Sequence, residues 1–325
     1  MNELPILINT TLTMLLLMAV GFAAAKAKVI DRTAAKKLSS LIVNVGQPFL
    51  MVSSLVNAEF SVDNLKTGGF VILIAASVHL IAIIVSQGIT AGFKNVKERQ
   101  ISRYAMVFAN NAFYGFPILK AVFGDVGVFW GSFYCVVFNL LCWTWGIFTL
   151  SRANKEIKTS PRSLFLNIGT LSVILGVILY VARVPISGAI NGAGSFTPAL
   201  KLIAGAVKSA LSYVGGLCTP ISMLLVGAAI SRTPFKKLFT QPSAYLVCAV
   251  KLVVLPLIVG GLAKLIGLSS EMVLFSAIMA GMPTAAVTEA FAEKYDIVPE
   301  YASTCVGMTA LLSVATVPLI VLLFG

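Results

Sequence analysis

The chain is poor in charge. Only 11% of its 325 residues are Asp, Glu, Lys or Arg, while 58% are hydrophobic. A soluble domain carries roughly 25% charged residues, so there is too little polar surface here to cover a water-soluble globule. Histidine is scarcer still: His79 is alone, which excludes multi-His metal sites and most acid–base sets. The five cysteines, Cys135, Cys142, Cys218, Cys248 and Cys305, lie inside apolar runs with no C-x-x-C pair and no Cys/His spacing. They read as small apolar fillers, not as a metal site or a disulfide framework. There is no G-x-S-x-G, no H-E-x-x-H and no P-loop, so the chain is not read as an enzyme, and no cofactor or metal is expected. Cations break the pattern, with 24 Lys and Arg against 12 Asp and Glu. In a soluble chain that excess would suggest nucleic acid. The aromatic-interleaved basic patch of an RNA binder is missing, however, and the cations fall between apolar spans.

What the sequence does contain is apolar runs of about 20 residues, the length of a membrane-spanning helix. Ten are expected. Leu4–Ala25, Ala34–Val56, Gly68–Gly92, Arg99–Phe123 and Val126–Leu150 make up a first unit, residues 1–150. A polar linker, 151–161, follows. The second unit, 162–325, holds Arg162–Ala182, a Gly/Ser-rich connection at Ser187–Lys201, Leu211–Ile230, Gln241–Lys264, Ser270–Ala292 and Val298–Phe324. The first run is not a signal peptide, because its only early charge is Glu3 and its basic residues, Lys26 and Lys28, come afterwards.

Cation placement orients these spans. Alternate loops hold Lys26, Lys28, Arg32, Lys36 and Lys37; Lys94, Lys97, Arg99 and Arg103; Arg152, Lys155, Lys158 and Arg162; Arg232, Lys236 and Lys237; and Lys294. The opposite side holds only Lys66, Lys120, Arg183, Lys201, Lys208 and Lys264. By the positive-inside rule the first set is cytoplasmic, and both termini are expected outside, in the inner membrane of a bacterial-type cell.

The two units also repeat. Shifting the second back by about 172 residues lays Pro220 on Pro48, Pro283 on Asn111 and Lys251 on His79. Five spans is an odd number, so the second copy enters the membrane inverted. Inverted repeats with interrupted helices mark secondary transporters, whose binding sites sit near the midplane. The interruptions are visible. Asn110 and Asn111 stand mid-span, with Gly115 and Pro117 close behind, and Gly281 and Pro283 stand at the centre of the ninth span. Proline removes a backbone donor and crowds the carbonyl four residues back. Irregular backbone at membrane depth survives only inside protein or beside a watery cavity. Spans 4 and 9 are therefore expected to be broken, crossing at a binding site for something polar.

Other polar groups at depth are candidates for the same site. Asn44 and Gln47 precede Pro48 on one helix face; they either line the cavity or plug groups freed by the proline. Lys251 either takes part in substrate or proton coupling or clamps a helix-end carbonyl, and His79 is either a coupling group or a satisfied histidine on an apolar helix. Glu289, six residues past Pro283, either carries a proton or reaches the cytoplasmic interface beside Glu293 and Lys294.

At this point the sequence resembles the auxin efflux carrier family of membrane transport proteins. The match runs from Asn110, Asn111, Phe113, Tyr114, Gly115 and Pro117 through Phe123 and Gly124, then Asn139 and Trp143 to Gly146. It continues with Thr219, Pro220, Gly227, Lys251, Pro256, Met282, Pro283, Ala302 and Ser303. The resemblance implies an all-α 5+5 inverted repeat with crossed, broken spans 4 and 9. It also implies alternating access to a small organic anion, a mono- or dicarboxylate such as malate or malonate, with the Asn110 amide holding the substrate. The ninth span departs from the pattern in having no amide beside its proline, so Thr284 and backbone groups there are expected to complete the site. Protons or sodium are candidate coupling ions, the lipid bilayer is the surrounding partner, and a homodimer is a candidate assembly. The alternative is a sodium-coupled organic-anion symporter of the bile-acid transporter type. A ligand sensor would need an output module, and a channel would show rings of acidic residues.

Overall fold

A computed structural model of the chain describes residues 3–57, 62–157, 168–194, 197–232 and 241–325. The end of the expected linker and the start of the sixth span, 158–167, lie outside these. The described residues are mostly helical, and among them the one β-bridge is isolated. Fifteen α-helices follow in order: α1 Glu3–Lys26, α2 Arg32–Leu41, α3 Gln47–Asn57, α4 Val62–Ile89, α5 Val96–Val107, α6 Phe116–Leu141, α7 Ile147–Ser151, α8 Ile168–Asn191, α9 Thr197–Gly216, α10 Cys218–Arg232, α11 Pro242–Ala249, α12 Leu255–Leu265, α13 Ser270–Gly281, α14 Val287–Lys294 and α15 Pro299–Phe324. Among the described residues, six stretches are long and apolar enough to cross a membrane: Arg32–Asn57, Leu65–Ile89, Phe116–Ser151, Thr197–Ser231, Pro242–Leu265 and Pro299–Phe324. The ninth expected span fails that length test because it is cut in two, leaving α13 with 12 residues and α14 with 8.

Wide π-helical turns join several pairs, at Ile42–Gly46, Asn111–Gly115, Cys142–Gly146 and Val250–Val254. Three of them end two residues before a proline: Pro48, Pro117 and Pro256. The missing N–H strands the carbonyl four residues earlier, at Asn44, Phe113 and Leu252, each inside the turn. The helix widens there instead of kinking sharply. Pro117 and Pro256 then occupy the first turn of the helix that follows, where the missing donor costs nothing.

The fourth and fifth expected spans meet at Gly124, whose φ of 66° is left-handed. There the chain folds back, so that a Cβ on Gly131 would meet Leu119 and Phe116. In a straight helix, residues fifteen apart would be over 20 Å distant. The described part of the Gly/Ser-rich connection at Ser187–Lys201 is mostly helix. α8 runs on to Asn191, and α9 starts at Thr197, whose hydroxyl donates to the Ile190 carbonyl at 3.1 Å. Ile186, Ala189 and Ile190 carry enough helix-compatible side chain to outweigh Gly188 between them.

The helices sort into two packed sets that each mix the sequence halves. One joins α1, α3, α8, α9 and α10; the other joins α4, α5, α6, α11, α12, α13 and α15. In the first set α1 and α10 approach closely enough that a Cβ on Gly21 would strike the Leu224 backbone, and one on Gly227 the Met18 backbone. Small residues permit such backbone contact, and in lipid dispersion supplies most of the driving force. Between the sets lies a seam. Its contacts include the Ser54–Ser132 hydroxyl pair of α3 and α6, and the π-turn 111–115 packed against α10.

Candidate functional site

The break in the fourth span lies earlier than Gly115 and Pro117. α5 stops at Val107, Phe108 is extended, and Asn110 adopts φ −77° and ψ 59° before the π-turn begins. Gly115 itself is helical, with φ −70° and ψ −43°. In the ninth span α13 stops at Gly281, Met282 is extended, and helical backbone resumes at Ala286. The two extended stretches cross antiparallel. Asn110 N–H donates to the Pro283 carbonyl at 2.7 Å, and Ala285 N–H donates to the Phe108 carbonyl at 2.9 Å. Thr284 ties the crossing down: its hydroxyl donates to the Ala105 carbonyl at 3.0 Å, and its N–H donates to the Thr309 hydroxyl at 3.1 Å. Each of these bonds satisfies a backbone group that no water could reach in a membrane interior.

Four half-helices therefore point at one place. α6, through its leading π-turn, and α14 begin just past the crossing and turn their positive ends toward it; α5 and α13 end there with their negative ends. On the positive side Asn110 and Asn111 are buried, at 5% and 1% exposure. Both side-chain atoms of Asn111 lack a hydrogen-bond partner. A buried polar group left so costs about 1–3 kcal/mol, which makes Asn111 the least satisfied amide at the crossing. The Tyr114 hydroxyl lies beside Ser313 without a hydrogen bond of normal geometry. The hydroxyl oxygens of Ser222 on α10, Thr288 on α14 and Thr316 on α15 are also buried without partners. Of these four, Tyr114 stood in the sequence only as part of the family resemblance, and the other three were not picked out by sequence reasoning. A polar residue every few positions on α10, α14 and α15 was visible, but which ones turn inward was not.

On the negative side sits the repeat-related pair. Lys251 is 2% exposed and lines a narrow cleft with Val78, Ala82, Val107, Tyr134, Leu255, Met279 and Ala280, too tight for a water molecule. Val107, Met279 and Ala280 belong to the C-terminal turns of α5 and α13, so the ammonium lies where two helix dipoles are negative. Among the described ion pairs none includes Lys251. His79 lies close enough to Lys251 to feel its charge. Its Nδ1 lies 2.7 Å from the Ala75 carbonyl, which can only accept, so that nitrogen carries the proton. Tyr134, Phe108 and Phe138 enclose the ring at centroid distances of 5.3, 6.2 and 6.3 Å.

The other expected residues divide. Gly281 is held by packing, since a Cβ there would collide with Ile320 and press on Pro256. Glu289 is half-buried and accepts from the Ser303 hydroxyl at 2.7 Å. Asn44 is not brought to the crossing. It is exposed, and its amide donates back to the Ser40 carbonyl and hydroxyl at 2.9 and 3.0 Å. Gln47 is half-buried at the start of α3, and Pro48 is buried beside it. Pro220 lies in the first turn of α10.

Comparison with known proteins agrees with a transport role. A family model described as membrane transport protein matches residues 6–321. An uncharacterized transporter of Methanothermobacter thermautotrophicus is 23% identical over 314 residues, covering 96% of each chain.

Proposed function

The chain belongs to the membrane transport protein family of the auxin efflux carrier group and is a multi-pass membrane transporter, and from that premise we propose that it moves a small organic anion by secondary active transport. The observation that carries this reading is the unsatisfied Asn111 amide beside a backbone crossing at which the α6 and α14 segments present their positive ends. A carboxylate fits such a place. It accepts hydrogen bonds from amide and hydroxyl donors and is favoured by helix N-termini, with no fixed cation needed to hold it. A dicarboxylate of malate or malonate size has acceptors for both Asn110 and Asn111 on one side and for Thr288 or Thr316 on the other.

The seam between the two helix sets supplies the route. The π-turn bearing Asn111 belongs to one set and packs on α10 of the other, so a small displacement of the sets would open the crossing first to one side and then to the other. The ten spans form two inverted units around this crossing, in the inner membrane with both termini outside. Lys251, His79 and Glu289 are the groups through which a proton gradient would act.

Uptake of radiolabelled mono- and dicarboxylates into proteoliposomes tests this, with Asn110→Ala and Asn111→Ala beside the unaltered chain. Saturable uptake of at least one carboxylate, lost in both variants and driven by an imposed pH gradient, is expected. Unimpaired uptake in both variants sinks the site. An absolute sodium requirement transfers the protein to the sodium-coupled class.

A further inference from the structure

We propose that Arg99, Arg103 and Arg152 form a binding site for the phosphate headgroup of an acidic phospholipid, in the leaflet that meets the protein's basic face. Arg99 and Arg103 stand four residues apart on α5 and so share a face. Arg152 directly follows α7, which packs on α5. Arg103 stands between the other two, with Arg99 and Arg152 as its charged neighbours. Among the described ion pairs none brings a carboxylate to any of the three.

Bulk water does not fully account for such a cluster. The Nε of Arg99 is buried and has no acceptor, and its Nη1 reaches the Phe93 carbonyl only at 3.5 Å. Arg103 is held in place: its Nε donates to the Thr90 hydroxyl at 2.8 Å, and that buried hydroxyl donates to the Ser86 carbonyl at 2.7 Å. The edge of its guanidinium stays available. Arg152 stacks over Phe148 at 4.7 Å. A phosphate oxygen pair matches the planar fork of a guanidinium, and one phosphodiester would relieve the mutual repulsion of all three. The occupant is assigned as lipid because apolar surface adjoins the charges. Phe148 is 51% exposed, and Ile89, at the end of α4 just before Thr90, is 39% exposed. A headgroup on the arginines would leave its acyl chains along these side chains, as in basic pockets between spanning helices.

Thermal unfolding of the detergent-purified chain, titrated separately with phosphatidylglycerol, phosphatidylcholine and inorganic phosphate, tests the proposal. The expected result is a saturable rise in melting temperature with phosphatidylglycerol alone. Apparent affinity should weaken by about fivefold for each of Arg99→Gln and Arg152→Gln, and a Lys26→Gln, Lys28→Gln double variant should keep the full shift. Arg152→Gln guards against misfolding, because that exposed side chain makes no hydrogen bond on which the fold depends. An equal shift with phosphatidylcholine, an equal loss in the Lys26/Lys28 control, or a shift reproduced by inorganic phosphate would each overturn the lipid site.

Discussion

Asn110 and Pro283 are joined by a backbone hydrogen bond of 2.7 Å across 173 residues of sequence. The bond lies where two helices are interrupted, and it gives each broken end a partner that neither helix could supply for itself. The buried polar groups on the crossing segments and on the helices α14 and α15 fall into two classes. Thr284 and Thr309 are fully engaged in holding the crossing, while Asn111, Tyr114, Thr288 and Thr316 are not. That division predicts which substitutions harm the fold and which harm transport.

Thr284→Val keeps the shape and removes the bond to the Ala105 carbonyl. The lost bond and the stranded acceptor should destabilise the protein by about 1–3 kcal/mol. Thermal melting in detergent measures this, and an unchanged melting temperature would show that the hydroxyl does not clamp the crossing.

Asn111→Leu should act in the opposite direction. The substitution removes two unsatisfied polar atoms and keeps the volume, so stability should hold or rise by about 1 kcal/mol while anion uptake falls to background. A marked loss of melting temperature would mean that the amide has a structural partner.

Lys251→Met compares two terms of opposite sign. Burying an ammonium costs several kcal/mol, and the negative helix ends beside it return up to about 2 kcal/mol. Desolvation is the larger, so the variant should melt higher than the parent, and pH-gradient-driven uptake should be lost. A lower melting temperature would assign Lys251 to clamping the helix ends.

Gly227→Val and Gly69→Ala separate close packing from mere helix propensity. A side chain at Gly227 would strike the α1 backbone, whereas Gly69 faces open space. The first should cost about 3 kcal/mol or more, and the second should be neutral or gain about 0.5–1 kcal/mol. Melting curves of the two variants, run beside the parent, decide it.

Part of this organisation could be read directly from the chain. The scarcity of charge and the long apolar runs require a membrane protein. The adjacent amides followed by Pro117, together with Pro283 near the matching depth, point to broken helices. Three of the π-turns end two residues before a proline, yet Pro318 lies inside α15 without one, so a proline alone does not locate such a turn. Asn44 shows the limit of such reading. It has the right residue type one turn before a proline, yet it turns to Ser40 and away from the crossing. Its partner Ser40 stands one turn earlier on the same helix face, and residue type alone does not say whether an amide takes that local bond or a distant one.

Composition and spacing were thus sufficient for the class of protein, its helical content and the two interrupted segments, since each follows from local chemistry: hydropathy, chain length and the missing proline donor. The pairing of Phe108–Asn110 with Pro283–Ala285, the inward turn of Ser222 and Thr316, and the enclosure of Lys251 between two helix ends came only with the packed chain. In water a helix announces its buried face by amphipathic periodicity. In lipid both faces are apolar, and which one turns inward is decided by backbone contacts such as Gly21 with Leu224 and by the hydrogen bonds that close each broken end.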